Sequence, residues 1–265
     1  MHCNRSRHVK SQILRKNKNY TWFYCHNCSL IYCNKKNKNH TEYKNRLKIF
    51  DDFKDANLHE FKSILHITRK YINLDKKDLS WLDYGCGSGT LLREINKITK
   101  NIIGFEPNIE LQKKARNSRY KVFNEFSKIK KNKKFDVIFS RNTFKYIDNF
   151  PTIIKKISLK IKLNGLFIWR DKYFNFYPLS AMKNENLDND HESMCTGSYL
   201  NKNTIFYHLN NNKFNVIYSK FYLDNSFFII AKKNNKVINY KVKKFHLDLF
   251  LFKNQSILKI IDFTR

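Results

Sequence analysis

Two acidic residues and three glycines between positions 83 and 106 have the residue types and spacing of a ligand-binding turn. Asp83, Gly85, Gly87 and Gly89 form the pattern DxGxGxG, and half of the chain's six glycines fall in this stretch. A glycine turn lets backbone N–H groups approach a ligand without interference from Cβ atoms. Glu106 follows in the next predicted unit, and its carboxylate can accept hydrogen bonds from two neighbouring hydroxyl groups. The spacing therefore predicts a site for a nucleotide-type ligand, with Glu106 on its ribose.

The residues around the turn predict the elements that position it. A buried strand is predicted over 79–84, and apolar residues at helical spacing follow the turn over 91–98. A second short strand is predicted over 101–105, which places Glu106 at its carboxyl end. Strand, glycine turn, helix and strand in this order indicate an open α/β sheet, whose ligands bind at the carboxyl ends of its strands.

Further strands are predicted after the second one, over 120–124, 135–140, 163–169, 214–222 and 226–232. The run FDVIFS is continuously apolar, as in a parallel strand that is buried on both faces. Gly165 is expected to supply the turn before the fifth strand, and the last two strands are expected to form an antiparallel hairpin. Asn124 and Arg141, at the ends of the third and fourth strands, face the same crevice as the glycine turn.

The glycine pattern distinguishes two classes of nucleotide-binding protein. A dinucleotide fingerprint, GxGxxG, needs glycine at position 90, where this chain has Thr90. The DxGxGxG form instead resembles the first motif of the class I S-adenosylmethionine-dependent methyltransferases. That resemblance implies a Rossmann-like, seven-stranded methyltransferase sheet and S-adenosylmethionine as the cofactor. It places Gly85, Gly87 and Gly89 around the methionine part of the cofactor and Glu106 on its ribose.

The same resemblance implies roles for residues at the other strand ends. Related enzymes often have an acidic residue at the end of the third strand that receives the adenine amino group, and Asn124 occupies this place. Asp83 and Arg141 complete the predicted cofactor-binding set. In sugar-directed relatives a histidine lies after the fifth strand, so His191 is the predicted general base, with Tyr173 as the second candidate.

The first forty residues contain four of the six cysteines and predict a metal site. Cys25 and Cys28 form a CxxC knuckle, as in a small zinc ribbon. The second knuckle should begin at Cys3, but its other position holds Ser6, so the module either binds zinc through a substitute ligand or is degenerate. The predicted metal ligands are Cys3, Cys25, Cys28 and His8, with His2 and Cys33 as alternatives to His8.

This N-terminal segment also resembles the zinc-binding module that precedes the methyltransferase domain of some bacterial enzymes. Ser29 replaces the glycine of their CxxCG motif. Many such enzymes act on nucleotide-linked sugars or in surface-polysaccharide and secondary-metabolite pathways. The resemblance therefore implies a small-molecule acceptor. The predicted organisation is a zinc-ribbon-like module over 1–40, a methyltransferase domain over 41–233 and a helical extension over 234–265.

The composition does not decide which kind of molecule accepts the methyl group. A formal charge of +30 suits a phosphorylated substrate or a nucleic acid, but lysine accompanies asparagine and isoleucine throughout the chain, as an AT-rich coding bias would produce. An RNA methyltransferase and an NAD-dependent sugar-modifying enzyme remain the alternatives. No apolar run reaches the roughly 18 residues of a membrane span, so we expect a cytoplasmic protein. The sequence gives no oligomeric state.

Overall fold

The structure is a computed structural model, and it describes residues 11–16, 20–25, 28, 30–35, 54–117, 120–144, 147, 149–172, 198–223 and 226–237. Its strands are β1 Ser11–Lys16, β2 Tyr20–Cys25, β3 Ile31–Lys35, β4 Trp81–Tyr84, β5 Ile102–Phe105, β6 Val122–Phe123, β7 Phe135–Arg141, β8 Ile161–Lys172, β9 Ser198–Tyr199, β10 Phe214–Phe221 and β11 Ser226–Lys233. Its helices are α1 Lys54–Thr68, α2 Thr90–Ile95, α3 Ile109–Asn117, α4 Phe150–Lys160 and α5 Lys202–Asn211, with a short 3₁₀ turn at Phe126–Lys128.

The main sheet has seven strands in the order β10-β11-β8-β7-β4-β5-β6. Strands β4 to β8 of this sheet are parallel, and β11 joins β8 and β10 in antiparallel fashion. This arrangement confirms the predicted seven-stranded α/β sheet and the hairpin that ends it. The glycine turn follows β4 at the centre of the sheet. It lies where neighbouring strands present their carboxyl ends.

The central strands are buried on both faces because consecutive residues enter two different cores. In β7, Val137 and Phe139 pack in one hydrophobic cluster, whereas Ile138 between them packs in the other. Strand β8 alternates in the same way, with Ile168 on one side and Trp169 on the other. A strand covered by helices on both faces has no solvent-facing positions, which explains the continuous apolar runs in the sequence.

The start of β8 differs from the prediction. Helix α4 ends at Lys160 and the strand begins at once, at Ile161, with an irregular register against β7 over its first residues. Asn164, with φ 64°, takes the left-handed conformation that was expected of glycine. Gly165 is needed for close packing instead, because a Cβ atom there would lie 2.9 Å from the carbonyl oxygen of Asp136.

A second sheet joins the N-terminal strands to a later part of the chain. Its order is β1-β2-β3-β9, and Ile31 and Tyr32 of β3 pair with the two residues of β9. The predicted boundary at residue 40 stays a prediction, but residues on both sides of it share this sheet. The predicted extension over 234–265 lies largely outside the described residues.

The turn between β2 and β3 is anchored on helix α5. The Oγ1 atom of Thr204 donates a 2.7 Å hydrogen bond to the carbonyl oxygen of Cys28. Leu30, which follows in the same turn, is fully buried in the core cluster that also contains Ile205 and Leu209 of α5. Burial of Leu30 and this hydrogen bond therefore fix the N-terminal sheet to the larger domain.

None of the helices in the described ranges is long and apolar enough to cross a membrane.

Replacing Thr204 by Val tests this anchor. The change keeps the side-chain shape but removes the donor to the buried Cys28 carbonyl, so we expect a loss of about 1 to 3 kcal/mol in the free energy of unfolding. Thr68→Val is the matched control, because the buried Thr68 hydroxyl bonds only the Ile64 carbonyl of its own helix. Urea titration of both variants should show the larger loss for Thr204→Val, and equal losses would contradict the anchor.

Candidate functional site

The glycine turn requires its glycines for different reasons. All three have positive φ, at 81° for Gly85, 56° for Gly87 and 88° for Gly89. A Cβ atom on Gly85 would overlap the side chain of Thr143, which lies directly above it. A Cβ atom on Gly87 would have no neighbour within 4 Å in the described part of the chain. Gly85 therefore serves the packing of the turn, whereas Gly87 leaves room for something that approaches the backbone.

Glu106 is built into the turn. Its side chain is almost fully buried, and one carboxylate oxygen accepts a 2.9 Å hydrogen bond from the N–H of Gly87. The other oxygen accepts a 2.9 Å hydrogen bond from the N–H of Asn108. Burial raises the pKa of Glu106, and these two backbone donors oppose the rise. Each oxygen keeps a second lone pair, so the carboxylate can still accept ligand hydroxyls.

Asp83 is the most unusual acid of the site. It is 2% exposed, and its Oδ2 atom has no hydrogen-bond partner among the residues that the structure describes. Burial and the nearby charge of Glu106 raise the pKa of Asp83 to about 7, and Arg141 opposes the rise. Two buried acids beside one another at the end of β4 and β5 form an electronegative site. A cationic ligand group there would compensate a charge that the described residues leave largely uncompensated.

Arg141 is held by an acidic residue that the sequence did not indicate. Its Nε atom lies 2.9 Å from one carboxylate oxygen of Glu60 on α1. The other oxygen of Glu60 accepts a 2.6 Å hydrogen bond from Nε of Arg170 on β8, which is in register with Arg141. Arg170 also stacks over the ring of Tyr222, 5.4 Å from its centroid. No local pattern could have paired these groups, because Glu60 and Arg170 are 110 positions apart.

Asp171 holds the loop that covers the glycine turn. It is fully buried, and its Oδ2 atom accepts hydrogen bonds from the N–H groups of Thr143, at 3.1 Å, and Phe144, at 2.7 Å. The Thr143 hydroxyl lies within hydrogen-bond distance of two acceptors, the carbonyl oxygens of Arg141, at 3.0 Å, and Tyr84, at 3.3 Å, and can donate its proton to either. Asp171 therefore positions Thr143, which packs on Gly85.

The remaining predicted residues are placed less centrally or not described. Asn124 follows β6 and accepts a 3.3 Å hydrogen bond from Nζ of Lys128. Its role toward adenine stays a prediction. The catalytic candidates His191 and Tyr173 and the metal candidates Cys3 and His8 lie outside the described residues, as do the side chains of the alternatives His2 and Cys33.

The N-terminal knuckle is close to a histidine of α5. Cys25 and Cys28 are buried, and the N–H of Cys25 donates a 2.8 Å hydrogen bond to the carbonyl oxygen of Leu30, which closes the turn between them. Burial lowers the pKa of His208 to about 4, and the neighbouring Cys25 opposes this shift. Within the part of the chain that the structure describes, no group of three His, Cys, Asp or Glu side chains is already arranged around a metal position. The predicted zinc site is therefore not established.

The central site fits the cofactor that the sequence indicates. S-adenosylmethionine carries two positively charged groups and a ribose with two hydroxyls. The partnerless Oδ2 atom of Asp83 suits a positive charge, the open space at Gly87 suits close approach to the backbone, and Glu106 retains acceptor capacity for the hydroxyls.

The raised pKa of Asp83 predicts how stability depends on pH. Its folded-state pKa, about 7, exceeds its ordinary value of 3.8, so the folded ligand-free protein binds the proton more tightly than the unfolded chain does. The contribution is fully present below about pH 4 and is lost as the pH rises through 7, on the order of 4 kcal/mol. Asp83→Asn should abolish this loss and become more stable than the wild type at pH 8. Urea titrations from pH 4.5 to 8 measure it, with the exposed Asp78→Asn as control. If the free energies of unfolding of the wild type and of Asp83→Asn changed in parallel with pH, the raised pKa of Asp83 would be contradicted.

Comparison with known proteins agrees with this geometry. A family model described as a methyltransferase domain matches residues 56–223, which is more than half of the chain. A curated relative, the ubiquinone biosynthesis O-methyltransferase of Pelagibacter ubique, is 29% identical over 97 residues. That match covers 34% of this chain and spans only 40% of the relative's length.

Solved structures share the fold. Magnesium protoporphyrin IX methyltransferase from Synechocystis, with bound S-adenosylhomocysteine, has a TM-score of 0.55 at 13% identity and covers 76% of this chain and 90% of its own. An S-adenosylmethionine-dependent methyltransferase from Methanosarcina mazei has a TM-score of 0.50 at 19% identity, with coverages of 64% and 98%. The matched family model, which covers more than half of the chain, leads to one conclusion. The chain belongs to the methyltransferase-domain family.

Proposed function

We propose that the enzyme methylates a hydroxyl group of a small-molecule acceptor, such as a nucleotide-linked sugar or a surface-polysaccharide or secondary-metabolite intermediate. The observation that carries this proposal is the charge around the crevice. The two arginines that border it, Arg141 and Arg170, share the carboxylate of Glu60, and Asp83 and Glu106 lie beneath. A channel for a nucleic-acid backbone needs accessible positive charge beside the reaction site. Here the carboxylate of Glu60 offsets part of the positive charge of the two arginines.

Three lysines whose positive charges lie near one another are at the edge of the sheet opposite the crevice. Burial lowers the pKa of Lys233 to about 8, and the charges of Lys213 and Lys134 lower it further. These residues stand where β7 and β10 begin and β11 ends. Their charge is thus remote from the carboxyl ends of the parallel strands. These three lysines therefore cannot bind an acceptor, whether a small molecule or RNA, at the crevice.

The curated relative supports the same class of acceptor, because it is an O-methyltransferase of ubiquinone biosynthesis. We extend only the class of reaction to this chain, namely methyl transfer to a hydroxyl oxygen of a small molecule. The family match leaves the NAD-dependent alternative without support. We also propose that the enzyme acts in the cytoplasm.

When bound, S-adenosylmethionine would supply a methyl group on a sulfonium sulfur, so that an acceptor oxygen could bond to the methyl carbon in line while the carbon–sulfur bond breaks and S-adenosylhomocysteine leaves. The chain's own residues hold and orient the reactants. Glu106 would accept hydrogen bonds from the ribose hydroxyls with the lone pairs that Gly87 and Asn108 leave available. Asp83, once ionised, would compensate positive charge on the cofactor. His191 is the proposed acceptor of the hydroxyl proton, with Tyr173 as the second candidate.

We further propose that the N-terminal CxxC knuckle binds zinc. Cys25 and Cys28 face the interior together, in a turn between antiparallel strands, as zinc-binding knuckles do. Cys3 and His8 remain the sequence-based candidates for the other positions. Such an ion would add stability to an N-terminal sheet that is too small to hold a core alone.

Gly87→Ala tests the proposed contact with the cofactor. Alanine tolerates a φ of 56° at a cost of about 1 kcal/mol, and no described atom obstructs its Cβ. The variant should fold, yet bind S-adenosylhomocysteine at least about tenfold more weakly, a loss of about 1.4 kcal/mol by calorimetry. Gly165→Ala is the matched control, since it should lower the melting temperature and leave the affinity unchanged. Unchanged affinity in Gly87→Ala would remove Gly87 from the cofactor site.

A methyl-transfer assay with labelled cofactor tests the acceptor. We expect label in small hydroxylated acceptors, screened as a panel of nucleotide-linked sugars, and about tenfold less label with Gly87→Ala when the cofactor concentration is well below its Kd. His191→Ala should lower kcat by about 100-fold if His191 is the general base. Incorporation into total RNA that falls steeply with salt, with none into the small molecules, would overturn the proposal in favour of an RNA methyltransferase. Unchanged turnover in His191→Ala would remove that residue's role.

A further inference from the structure

Three basic residues form a row across the main sheet at the edge of the crevice. Arg141 of β7 lies in register with Arg170 of β8. Arg170 lies in register with Phe228 of β11, which in turn lies in register with Lys220 of β10. Residues opposite one another on neighbouring strands project from the same face of a sheet. Phe228 is buried in the core cluster that also contains Phe61 of helix α1, so this basic row lies on the face that α1 covers.

The basic row lies where an acceptor is expected to bind. Its three residues belong to the carboxyl-terminal parts of β7, β8 and β10. Ligands bind outside the carboxyl ends of the strands in an open α/β sheet. The turn after β4 and Glu106 after β5 hold the cofactor in the proposal above. The side of the crevice at β7 and β8 therefore remains for the acceptor.

The basic row carries more positive charge than its paired acid offsets. Glu60 lies 2.9 Å from Nε of Arg141 and 2.6 Å from Nε of Arg170, so one carboxylate serves two arginines. In the described part of the chain, the three positive charges of the row and the one negative charge paired with them leave a net charge of +2. Asp83 also acts on Arg141, but its charge compensates the cofactor in the proposal above.

Tyr222 holds two of these cations near one another. Its ring centroid lies 5.4 Å from the guanidinium carbon of Arg170 and 5.0 Å from Nζ of Lys220. The negative face of an aromatic ring attracts a cation and so fixes its position. Two like charges on one ring also repel each other, so an anion that contacts both would stabilise the arrangement.

Arg170 is held in place by further contacts. Its Nε atom donates a 2.6 Å hydrogen bond to Glu60, and Nη1 donates a 3.2 Å hydrogen bond to the carbonyl oxygen of Asp171. A guanidinium group has more N–H donors than these two bonds use, and its planar fork matches two oxygens of a phosphate. Lys220 is exposed and adds a point charge on a flexible stem. A fixed fork beside a flexible ammonium group suits a phosphate group.

We propose that Arg170 and Lys220 bind a phosphate group of the acceptor. This inference rests on the small-molecule acceptor proposed above and narrows it to phosphorylated molecules, among them nucleotide-linked sugars. A phosphate group carries up to about two negative charges, which matches the net charge of the row better than the single charge of a carboxylate does. The side chain of Arg170 is only 14% exposed, so the site suits one enclosed group rather than an extended nucleic-acid backbone.

Calorimetric titration of the full-length protein with pyrophosphate tests the site, with S-adenosylhomocysteine present at saturation so that the cofactor site is filled. The wild type should bind pyrophosphate, and added salt should weaken the binding. Arg170→Gln should lower the affinity by at least about tenfold, because charge-assisted hydrogen bonds are lost. Lys220→Gln should lower it by about threefold, because an exposed charge contributes less.

The control variant is Lys155→Gln. It removes the same charge from an exposed position on α4, whose buried residues pack on the opposite face of the sheet. This variant should bind pyrophosphate like the wild type. A wild type that does not bind pyrophosphate, or equal affinities in Arg170→Gln and Lys155→Gln, would overturn the inference. Tighter binding of malonate than of pyrophosphate would overturn the preference for phosphate.

Glu60→Gln gives a test of opposite sign and decides the case if Arg170→Gln fails to fold. Removing the shared carboxylate leaves more positive charge at the site, so the affinity for pyrophosphate should rise by at least about threefold. If Glu60 and its arginines only fastened α1 to the sheet, the substitution would loosen the arginines and would not strengthen binding. Unchanged or weaker binding in Glu60→Gln would therefore overturn the inference.

The outcomes separate this inference from the proposed function on which it rests. If label enters uncharged small hydroxylated molecules and pyrophosphate does not bind, the phosphate site fails and the small-molecule acceptor stands. If pyrophosphate binds in a manner that depends on Arg170 while label enters only RNA, the small-molecule acceptor fails and the phosphate site stands.

Discussion

The carboxylate of Asp171 connects strand β8 to the loop after β7, and this loop packs on the glycine turn. The shape of the crevice depends on that connection. It is fully buried in β8 and accepts the backbone N–H groups of the loop after β7, so it fixes Thr143 above Gly85. A buried carboxylate that accepts several hydrogen bonds is strongly constrained in position, because breaking any one of these bonds leaves an unpaired polar group in the interior at a cost in free energy. The shape of the glycine turn is thus set by a residue from the neighbouring strand, in addition to its own glycines.

Electrostatics divides the same region into two parts. Asp83 and Glu106 are neighbouring buried acids. Burial raises the pKa of both, and the charge of Glu106 raises the pKa of Asp83 further. Glu60 pairs with both Arg141 and Arg170 and offsets one of their two positive charges. The ligand-free site therefore favours positive charge at its base. A sulfonium cofactor supplies such charge, and this is the physical reason the acids and the cofactor belong together.

The N-terminal sheet illustrates a different constraint. Its strands are few and short, and the sheet gains its stability from contacts with α5 and β9 rather than from a core of its own. The Cys28 carbonyl, which accepts the hydrogen bond from Thr204, and the buried side chain of Leu30 belong to that contact. A module that appears independent in the sequence is thus integrated with the methyltransferase domain.

The sequence by itself determined the sheet and the centre of the site. Strand, turn and helix signals are local, and the positive φ of Gly85, Gly87 and Gly89 and the place of Glu106 follow from residues close together in the chain. The strand boundaries at β8 were misplaced because Asn164 can adopt the left-handed conformation as glycine does, and only the approach of Asp136 explains Gly165.

Only the tertiary structure decided which groups meet across the sheet and between its ends. The sharing of Glu60 by two arginines, the support of Thr143 by Asp171 and the hydrogen bond from Thr204 to the Cys28 carbonyl join residues that are far apart in sequence. Such contacts depend on how strands are ordered and how helices pack on them. A local pattern carries no information about a partner that the fold brings in from elsewhere, so these residues could be found only once the chain was folded.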